Sequence, residues 1–141
     1  MTLDWKLYLS PYVSLSTADT EIMIIRIDEY SDVPIYMQIR NQIVMGISSG
    51  ELKPGEQLPT VRALALEIGI NTMTVSKTYQ LLKQEGYIMT DRKNGARVRE
   101  NISQSGVISE ENKTELRRIV SEARLSGVGK DALKKLIDEF Y

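Results

Sequence analysis

The chain has 141 residues, of which 42% are hydrophobic and 26% are charged, and its formal net charge is −1. These values are typical of a globular domain. It contains no cysteine and no histidine, which excludes disulfides, thiolate metal sites and histidine-based acid–base chemistry. No paired carboxylates or Gly-rich phosphate loop point to an enzyme either, and we expect neither a metal nor a cofactor.

Positive charge is concentrated in two short segments. Residues 71–83 contain two lysines and no acid, and residues 91–99 contain four basic residues and one acid. Local patches of this kind indicate a nucleic-acid partner better than net charge does. No apolar run approaches the roughly 20 residues that a membrane span needs, and the first residues do not follow a signal-peptide pattern. We therefore expect a cytoplasmic protein without a membrane partner.

Residues 1–22 have no sustained hydrophobic period. We expect a flexible N-terminal extension, either a native leader or residues that precede a natural start at Met23. The following residues, 24–27, predict a short strand.

Three helices are predicted next. The first begins at Pro34, because a proline costs little in a first helical turn, and ends at Gly50. The second begins at Thr60 after the Pro54–Gly55 turn and ends at Gly69. Their apolar faces have helical spacing. These faces contain Ile35, Ile39, Ile43 and Ile47 in the first helix and Val61, Leu64, Ala65 and Ile68 in the second.

Asn71 is a suitable N-cap for the third helix, which carries Val75, Tyr79 and Leu82 on one face and ends at Gly86. Two short helices joined by a tight turn containing glycine indicate a helix-turn-helix. Residues 87–90 and 96–99 then predict two strands, with Asn94–Gly95 in the hairpin loop. This order predicts a winged helix-turn-helix over residues 23–100.

Residues 101–141 predict two more helices, separated by a turn at residues 126–129. Each helix has one apolar stripe and little structure to bury it against, so pairing with a second copy of the chain is the economical solution. The predicted fold class is mainly α with a small β-hairpin wing: a winged helix-turn-helix followed by a short two-helix dimerisation segment. The dimerisation residues are Leu116, Ile119, Val120, Ala123, Leu133, Leu136, Ile137 and Phe140.

The non-core side of the third helix carries short polar groups and one lysine, which can approach phosphates and base edges. Arg62, early in the second helix, can reach a phosphate or an adjacent base. The basic hairpin loop, which also holds Arg92, suits the narrow minor groove with its negative potential. Each feature has an alternative explanation. The polar side of the third helix would be a solvated face, Arg62 would form an ion pair with Glu56 or Glu67, and the hairpin loop would be a charged turn that keeps the protein soluble. The candidate DNA-binding residues are Thr60, Arg62, Asn71, Thr72, Met73, Thr74, Ser76, Lys77, Lys93, Asn94, Gly95 and Arg97.

These residues resemble the GntR family of bacterial transcription regulators. The resemblance rests on residues 34–39 (PIYMQI) and 47–65 (ISSGELKPGEQLPTVRALA), where a Pro-Gly turn precedes Leu-Pro-Thr-x-Arg. Residues 71–86 resemble the YtrA subfamily in particular, and the short tail agrees with it. The resemblance implies a winged-helix DNA-binding domain, a homodimer formed through the tail, and repression of a nearby operon that often encodes a transporter.

The same resemblance implies DNA contacts from Arg62 and from Asn71, Thr74 and Lys77 of the recognition helix, and it places Gly95 in the wing motif. Four residues depart from the family pattern. Thr72 and Met73 stand where Pro and Asn are usual, Lys93 replaces the first wing glycine, and Arg97 replaces an aromatic. The departures at Thr72, Met73 and Lys93 leave the operator sequence open, but not the act of binding DNA.

The leading hypothesis is a dimeric repressor that binds double-stranded operator DNA. The alternative is a winged-helix module that binds protein and not DNA, and an enzyme is set aside. A small-molecule effector of unknown identity would bind at the dimer interface or between the tail and the DNA-binding domain, because two helices enclose little volume. Tyr36, Tyr79 and Phe140 are candidates to line such a site, with core packing as the alternative for each.

Overall fold

The structure is a computed structural model that describes residues 25–141. The described residues form two compact units, one ending at Ser103 and the other beginning at Gln104. The predicted fold class is confirmed: three helices, a two-stranded antiparallel hairpin and two further helices follow each other along the chain. The elements are α1 (Ile35–Ser49), α2 (Val61–Ile68), α3 (Thr72–Gln84), β1 (Ile88–Asp91), β2 (Gly95–Val98), α4 (Glu110–Leu125) and α5 (Lys130–Glu139). The predicted extension at residues 1–22 lies outside the described residues.

The segment before α1 corrects one prediction. Residues 25–28 do not form a strand, although the apolar run predicts one; its first residue, Ile24, lies outside the described part of the chain. The amide of Arg26 donates to Gln42 Oε1 at 2.8 Å, and Gln42 Nε2 donates to the Arg26 carbonyl at 2.7 Å. The Asp28 amide donates to Gln38 Oε1 at 2.9 Å. Glutamine side chains of α1 thus bind the backbone groups that a neighbouring strand would otherwise bind.

The core of the first unit is built by α1, α2, α3 and the hairpin. The predicted apolar faces are confirmed, but only their central residues are fully buried, while Ile35, Ile47, Val61 and Ile68 pack at the edge. The buried apolar residues are Ile25, Ile39, Ile43, Leu52, Leu58, Leu64, Ala65, Val75, Tyr79, Leu82, Ile88, Ala96 and Val98.

The third helix begins at its predicted cap, Asn71, and the second begins directly after Thr60, its predicted start, which the structure shows to be an N-cap as well. Thr60 Oγ1 accepts the Ala63 amide at 3.1 Å, and Asn71 Oδ1 accepts the Met73 amide at 2.8 Å. Each of these N-caps contributes about 0.5–2 kcal/mol to stability. Gly69 ends α2 with φ +68°, a backbone conformation that residues with a Cβ rarely adopt. The turn between α2 and α3 is therefore fixed by local sequence.

The wing has a third, irregular segment that the sequence does not reveal. The hairpin pairs Ile88 with Val98 and Asp91 with Gly95, one residue away from the predicted strand limits. Residues 55–58 run along the other side of β2. The Leu58 amide donates to the Ala96 carbonyl at 2.8 Å, and the Val98 amide donates to the Glu56 carbonyl at 2.8 Å. The segment after the Pro-Gly turn thereby attaches the wing to the helix-turn-helix.

The second unit consists of α4 and α5. Ser109 caps α4 through the Asn112 amide, and α4 begins with two acids, which the helix dipole favours. Arg118 forms ion pairs with Glu115 and Glu122 on the outer side of α4. Along the whole of α4 and α5, no residue is buried.

A buried tyrosine links α3 to the segment before α2. The hydroxyl of Tyr79 donates to the Pro59 carbonyl at 2.8 Å, and only 4% of the residue is exposed. Burial raises the pKa of Tyr79 well above its ordinary value of 10.0. The hydroxyl thus stays protonated in the folded state when it would already ionise in the unfolded chain.

Tyr79→Phe tests this link through its pH dependence. At neutral pH the variant loses about 1 kcal/mol of unfolding free energy with the hydrogen bond. Above about pH 10 the unfolded wild type releases the Tyr79 proton and the folded state keeps it, so wild-type stability falls by up to about 1.4 kcal/mol per pH unit. The variant lacks this contribution, so the difference in unfolding free energy between wild type and variant should narrow above about pH 10. Urea unfolding followed by circular dichroism measures this difference. A constant gap across that range would contradict a protonated, buried Tyr79.

Candidate nucleic-acid interface

Helix α3 has one buried face and one exposed face. Val75, Thr78, Tyr79 and Leu82 are buried. Residues three and four apart lie on the same side of a helix, so the opposite side forms a continuous strip. Of the predicted contact residues, Thr72, Met73 and Lys77 are exposed, and Thr74 and Ser76 are half-buried. We call the exposed residues opposite the core the outer strip of α3: Met73, Lys77, Gln80 and Gln84.

The outer strip contains side chains that can read DNA. Met73 is 76% exposed and can contact a thymine methyl group, and a lysine can bind phosphate or guanine. A glutamine can bind adenine at two points, because its amide oxygen accepts from N6 and its amide nitrogen donates to N7. Helix α3 contains no acidic residue that would repel phosphate. Gln80 and Gln84 were missed by the sequence prediction, although each lies seven residues after a predicted contact, Met73 or Lys77.

The two caps change what Thr60 and Asn71 can offer to DNA. The oxygen of each side chain already accepts an amide of its own helix. The Thr60 hydroxyl hydrogen and the Asn71 amide nitrogen are the groups that can still donate to a phosphate or a base. Both predicted contacts are thus placed at helix N-termini, where the helix dipole favours an anion.

Arg62 is exposed in the first turn of α2. The alternative that it pairs with Glu56 or Glu67 is not realised, because none of the ion pairs found within residues 25–141 includes Arg62. The Glu56 carboxylate instead accepts the Lys53 amide at 2.6 Å. The guanidinium of Arg62 thus retains its charge for an external partner.

The wing loop is organised by one carboxylate. Asp91 accepts the amides of Lys93 and Asn94 and the Asn94 side-chain amide. These hydrogen bonds, with that of the Asn94 backbone contributing most, lower the pKa of Asp91 below its ordinary value. Gln57 Nε2 also donates to the Asn94 carbonyl at 3.0 Å. The loop therefore holds its conformation at neutral pH, with Arg92 and Lys93 exposed.

The other predicted wing residues are less accessible than Lys93. Asn94 and Gly95 are half-buried, and Gly95 takes φ +68° at the start of β2. Arg97 is half-buried between Met89, its partner in β1, and Gln57. Its Nε is buried and has no hydrogen-bond partner within the described residues. Asn94 and Gly95 thus build the loop, and the tip of the wing presents Arg92 and Lys93.

One cation of the outer strip rests on an aromatic ring. The ammonium of Lys77 lies 3.8 Å from the centre of the Tyr36 ring of α1. Tyr36 is therefore part of the contact between α1 and α3. Tyr79, which was also a candidate for an effector site, lies in the core.

Comparison with known proteins agrees with this architecture. A family model described as bacterial regulatory proteins, gntR family, matches residues 35–98. The HTH-type transcriptional repressor YtrA of Bacillus subtilis (strain 168) is 38% identical over 117 residues, which cover 82% of this chain and 90% of the relative. The chain belongs to the GntR family.

Solved structures resemble this GntR-family protein over the same length. A YtrA protein of Sulfolobus acidocaldarius, a GntR-family transcription factor, is 40% identical and covers 82% of this chain and 94% of its own, with a TM-score of 0.52. A protein described as a transcriptional antiterminator from Listeria monocytogenes EGD-e is 31% identical, covers 83% and 89% of the two chains, and has a TM-score of 0.69. The predicted resemblance to GntR regulators and their YtrA subfamily is confirmed.

This GntR-family protein is therefore a DNA-binding transcription regulator with a winged helix-turn-helix, and it is not an enzyme. Within residues 25–141, none of the helices combines the length and the hydropathy that crossing a membrane requires.

Gln80→Ala tests whether the outer strip reads bases. Binding sites selected from a random DNA pool by the variant should lose preference at one position in each half-site, because a two-point amide contact to adenine discriminates by about 1–3 kcal/mol. Gln104→Ala, the same change in the second unit, serves as the control and should select the wild-type sequence. Identical sequences selected by wild type and Gln80→Ala would contradict base reading by Gln80.

Proposed function

We propose that this protein is a repressor that binds operator DNA beside its own gene as a homodimer. The observation that carries the proposal is the outer strip of α3, which is exposed and contains no acidic residue. The N-terminus of α3 is capped by Asn71, which is itself exposed to solvent. The major groove of B-DNA admits an α-helix, and the first residues of a recognition helix are those that reach base edges. The proposed contact residues are Thr60, Arg62, Asn71, Thr72, Met73, Thr74, Ser76, Lys77, Lys93, Asn94, Gly95 and Arg97, to which we add Gln80 and Arg92.

These residues have four different roles. Met73 and Gln80 contact bases, whereas Arg62, Lys77 and the donors at the two helix N-termini contact phosphates and position the helix. Arg92 and Lys93 at the wing tip contact the minor groove, whose negative potential attracts basic side chains. Among the remaining wing residues, Asn94 and Gly95 act by shaping the loop.

Dimerisation through the second unit is supported by the apolar stripes of α4 and α5. Ala123 and Leu133 are half-buried, whereas six other predicted interface residues are each at least 40% exposed. Burying an aliphatic or aromatic side chain of this size is worth about 1.5–3 kcal/mol when it is complete. A second copy of the same stripe is the self-complementary partner that a two-fold dimer requires. The six residues are Leu116, Ile119, Val120, Leu136, Ile137 and Phe140.

A two-fold dimer presents two recognition helices, so we expect operator half-sites separated by about one helical turn of DNA or a multiple of it. Repression is the activity that the name of the Bacillus subtilis relative states. The resemblance to the YtrA subfamily further suggests that the regulated operon encodes a transporter. A small-molecule effector would act at the dimer interface, where Phe140 is 76% exposed.

DNA binding is tested by fluorescence anisotropy with duplex DNA from upstream of the gene, at two salt concentrations. Wild type should bind tightly, with an affinity that falls with a log–log slope of about 0.9 per phosphate contacted. Arg62→Ala should weaken binding and reduce the slope by about 1. The control Arg118→Ala removes an arginine from the polar side of α4 and should leave both the affinity and the salt slope unchanged.

No binding by a folded wild-type dimer, to this DNA or to unrelated duplexes, would contradict the proposal. It would favour the alternative of a winged-helix module that binds protein.

Dimerisation is tested by placing a charge on the α4 stripe. Val120→Glu should convert the dimer to a monomer in sedimentation equilibrium, because the carboxylate would be buried unpaired at the interface. DNA affinity should fall with it, since one recognition helix is lost. The control Ser121→Glu places the same group on the polar side of α4 and should remain dimeric. A wild-type monomer, or a dimeric Val120→Glu, would contradict this interface.

A further inference from the structure

Tyr36 of α1 contacts two consecutive residues of α3. Its backbone carbonyl accepts the hydroxyl of Thr78 at 3.2 Å, and Thr78 is fully buried. Its ring lies under the ammonium of Lys77, with 3.8 Å between Nζ and the ring centre. The same hydroxyl lies 3.0 Å from the Thr74 carbonyl, so the buried Thr78 side chain holds the Tyr36 backbone beside α3. The Tyr36 ring in turn restricts Lys77, which is exposed.

A ring holds a cation without cancelling its charge. An ammonium within about 6 Å of an aromatic face is attracted by the negative face of the ring. A carboxylate could also hold Lys77, but its negative charge would repel DNA phosphates. None of the ion pairs found within residues 25–141 includes Lys77. The ammonium also has three donors, so those that do not face the ring remain available to phosphate oxygens.

The neighbouring turn of α1 provides a contrast. Arg40, four residues after Tyr36, lies 5.8 Å from the ring centre of Tyr87, but its Nε is also paired with Glu85 Oε2 at 2.9 Å. The charge of Arg40 is thus compensated inside the protein, which is what a structural link between α1 and α3 requires. The charge of Lys77 is held in place and left uncompensated, which is what an anion contact requires.

We infer that Tyr36 is a positioning residue for DNA binding, whose ring orients the Lys77 ammonium towards a phosphate. The inference rests on the proposed function, in which the outer strip of α3 faces DNA. A lysine side chain loses more rotamer freedom than most when it is fixed. Because the ring already restricts Lys77 in the free protein, part of this cost is met before DNA binds.

A double-mutant cycle in the full chain tests this inference. Because a phosphate contact is independent of sequence, the probe is a fluorescent random-sequence duplex at low salt. Lys77→Gln should weaken binding and reduce the salt slope by about 1. Tyr36→Leu should weaken binding roughly two- to fivefold, as expected for an exposed cation–π contact. The double variant should bind no worse than Lys77→Gln, and Tyr36→Phe should bind like wild type.

The free protein provides a second measurement. The ring current of Tyr36 should shift the Lys77 ε-methylene protons upfield in the NMR spectra of wild type and Tyr36→Phe, and the shift should vanish in Tyr36→Leu. Its presence in Tyr36→Phe, together with thermal unfolding of each variant, separates loss of the ring from loss of the fold.

Three outcomes would overturn the inference. Equal losses for Tyr36→Leu with and without Lys77 would mean that Tyr36 acts independently of the lysine. A loss in Tyr36→Phe as large as in Tyr36→Leu would assign the effect to the hydroxyl. A loss in Lys77→Gln but not in Tyr36→Leu would leave the proposed function intact and remove the role of the ring. Absence of wild-type binding to any duplex would instead contradict the proposed function itself.

Discussion

The packing of α3 against α1 and α2 is the constraint on which the DNA-binding unit depends. With about 3.6 residues per turn, burying Val75, Tyr79 and Leu82 fixes which side chains point outwards. The fully buried Thr78 stabilises this orientation, because its hydroxyl is within hydrogen-bond distance of the carbonyls of both Thr74 and Tyr36. The same packing that makes the core therefore also presents Met73, Lys77 and Gln80 together.

The wing depends on the helix-turn-helix through the segment that precedes α2. Residues 55–58 bind β2 through their backbone, and Thr60, two residues later, caps α2. A short stretch of chain thus sets both the position of the wing and the start of the helix that carries Arg62. The second unit has the opposite character, since α4 and α5 keep their apolar stripes exposed within the single chain. This difference is the physical reason for assigning recognition to the first unit and assembly to the second.

Local sequence predicts most of the fold because most of its determinants are local. The caps at Thr60 and Asn71, the glycines that end α1 and α2, and the apolar spacing of every helix act within a few residues. The strand predicted for residues 24–27 is wrong over its described part, 25–27, because an apolar run forms a strand only if a second strand is available. Here Gln38 and Gln42 bind the backbone of this segment instead. The contacts of β2 with residues 55–58 connect distant parts of the chain, and no short pattern reveals them.

The candidate site was predictable in type but not in detail. Exposed polar residues at a helix N-terminus and a basic loop indicated DNA. The hydrogen bonds between Asp91 and Asn94 are local to the loop, whereas the Gln57–Asn94 hydrogen bond and the burial of Arg97 beside Gln57 depend on contacts between distant parts of the chain. Lys77 and Tyr36 are separated by 41 positions, and only the folding of α1 onto α3 brings them together.

The most direct test of the account is an NMR titration of the isotope-labelled full chain with duplex DNA from upstream of its gene. The central claim is that α3 and the wing form one DNA-binding face. The account predicts that amide shifts change at residues 60–62, along 71–80 and at the wing tip, while the core residues of α1 and the polar face of α4 change little. Changes concentrated in α4 and α5, with α3 unaffected, would contradict it.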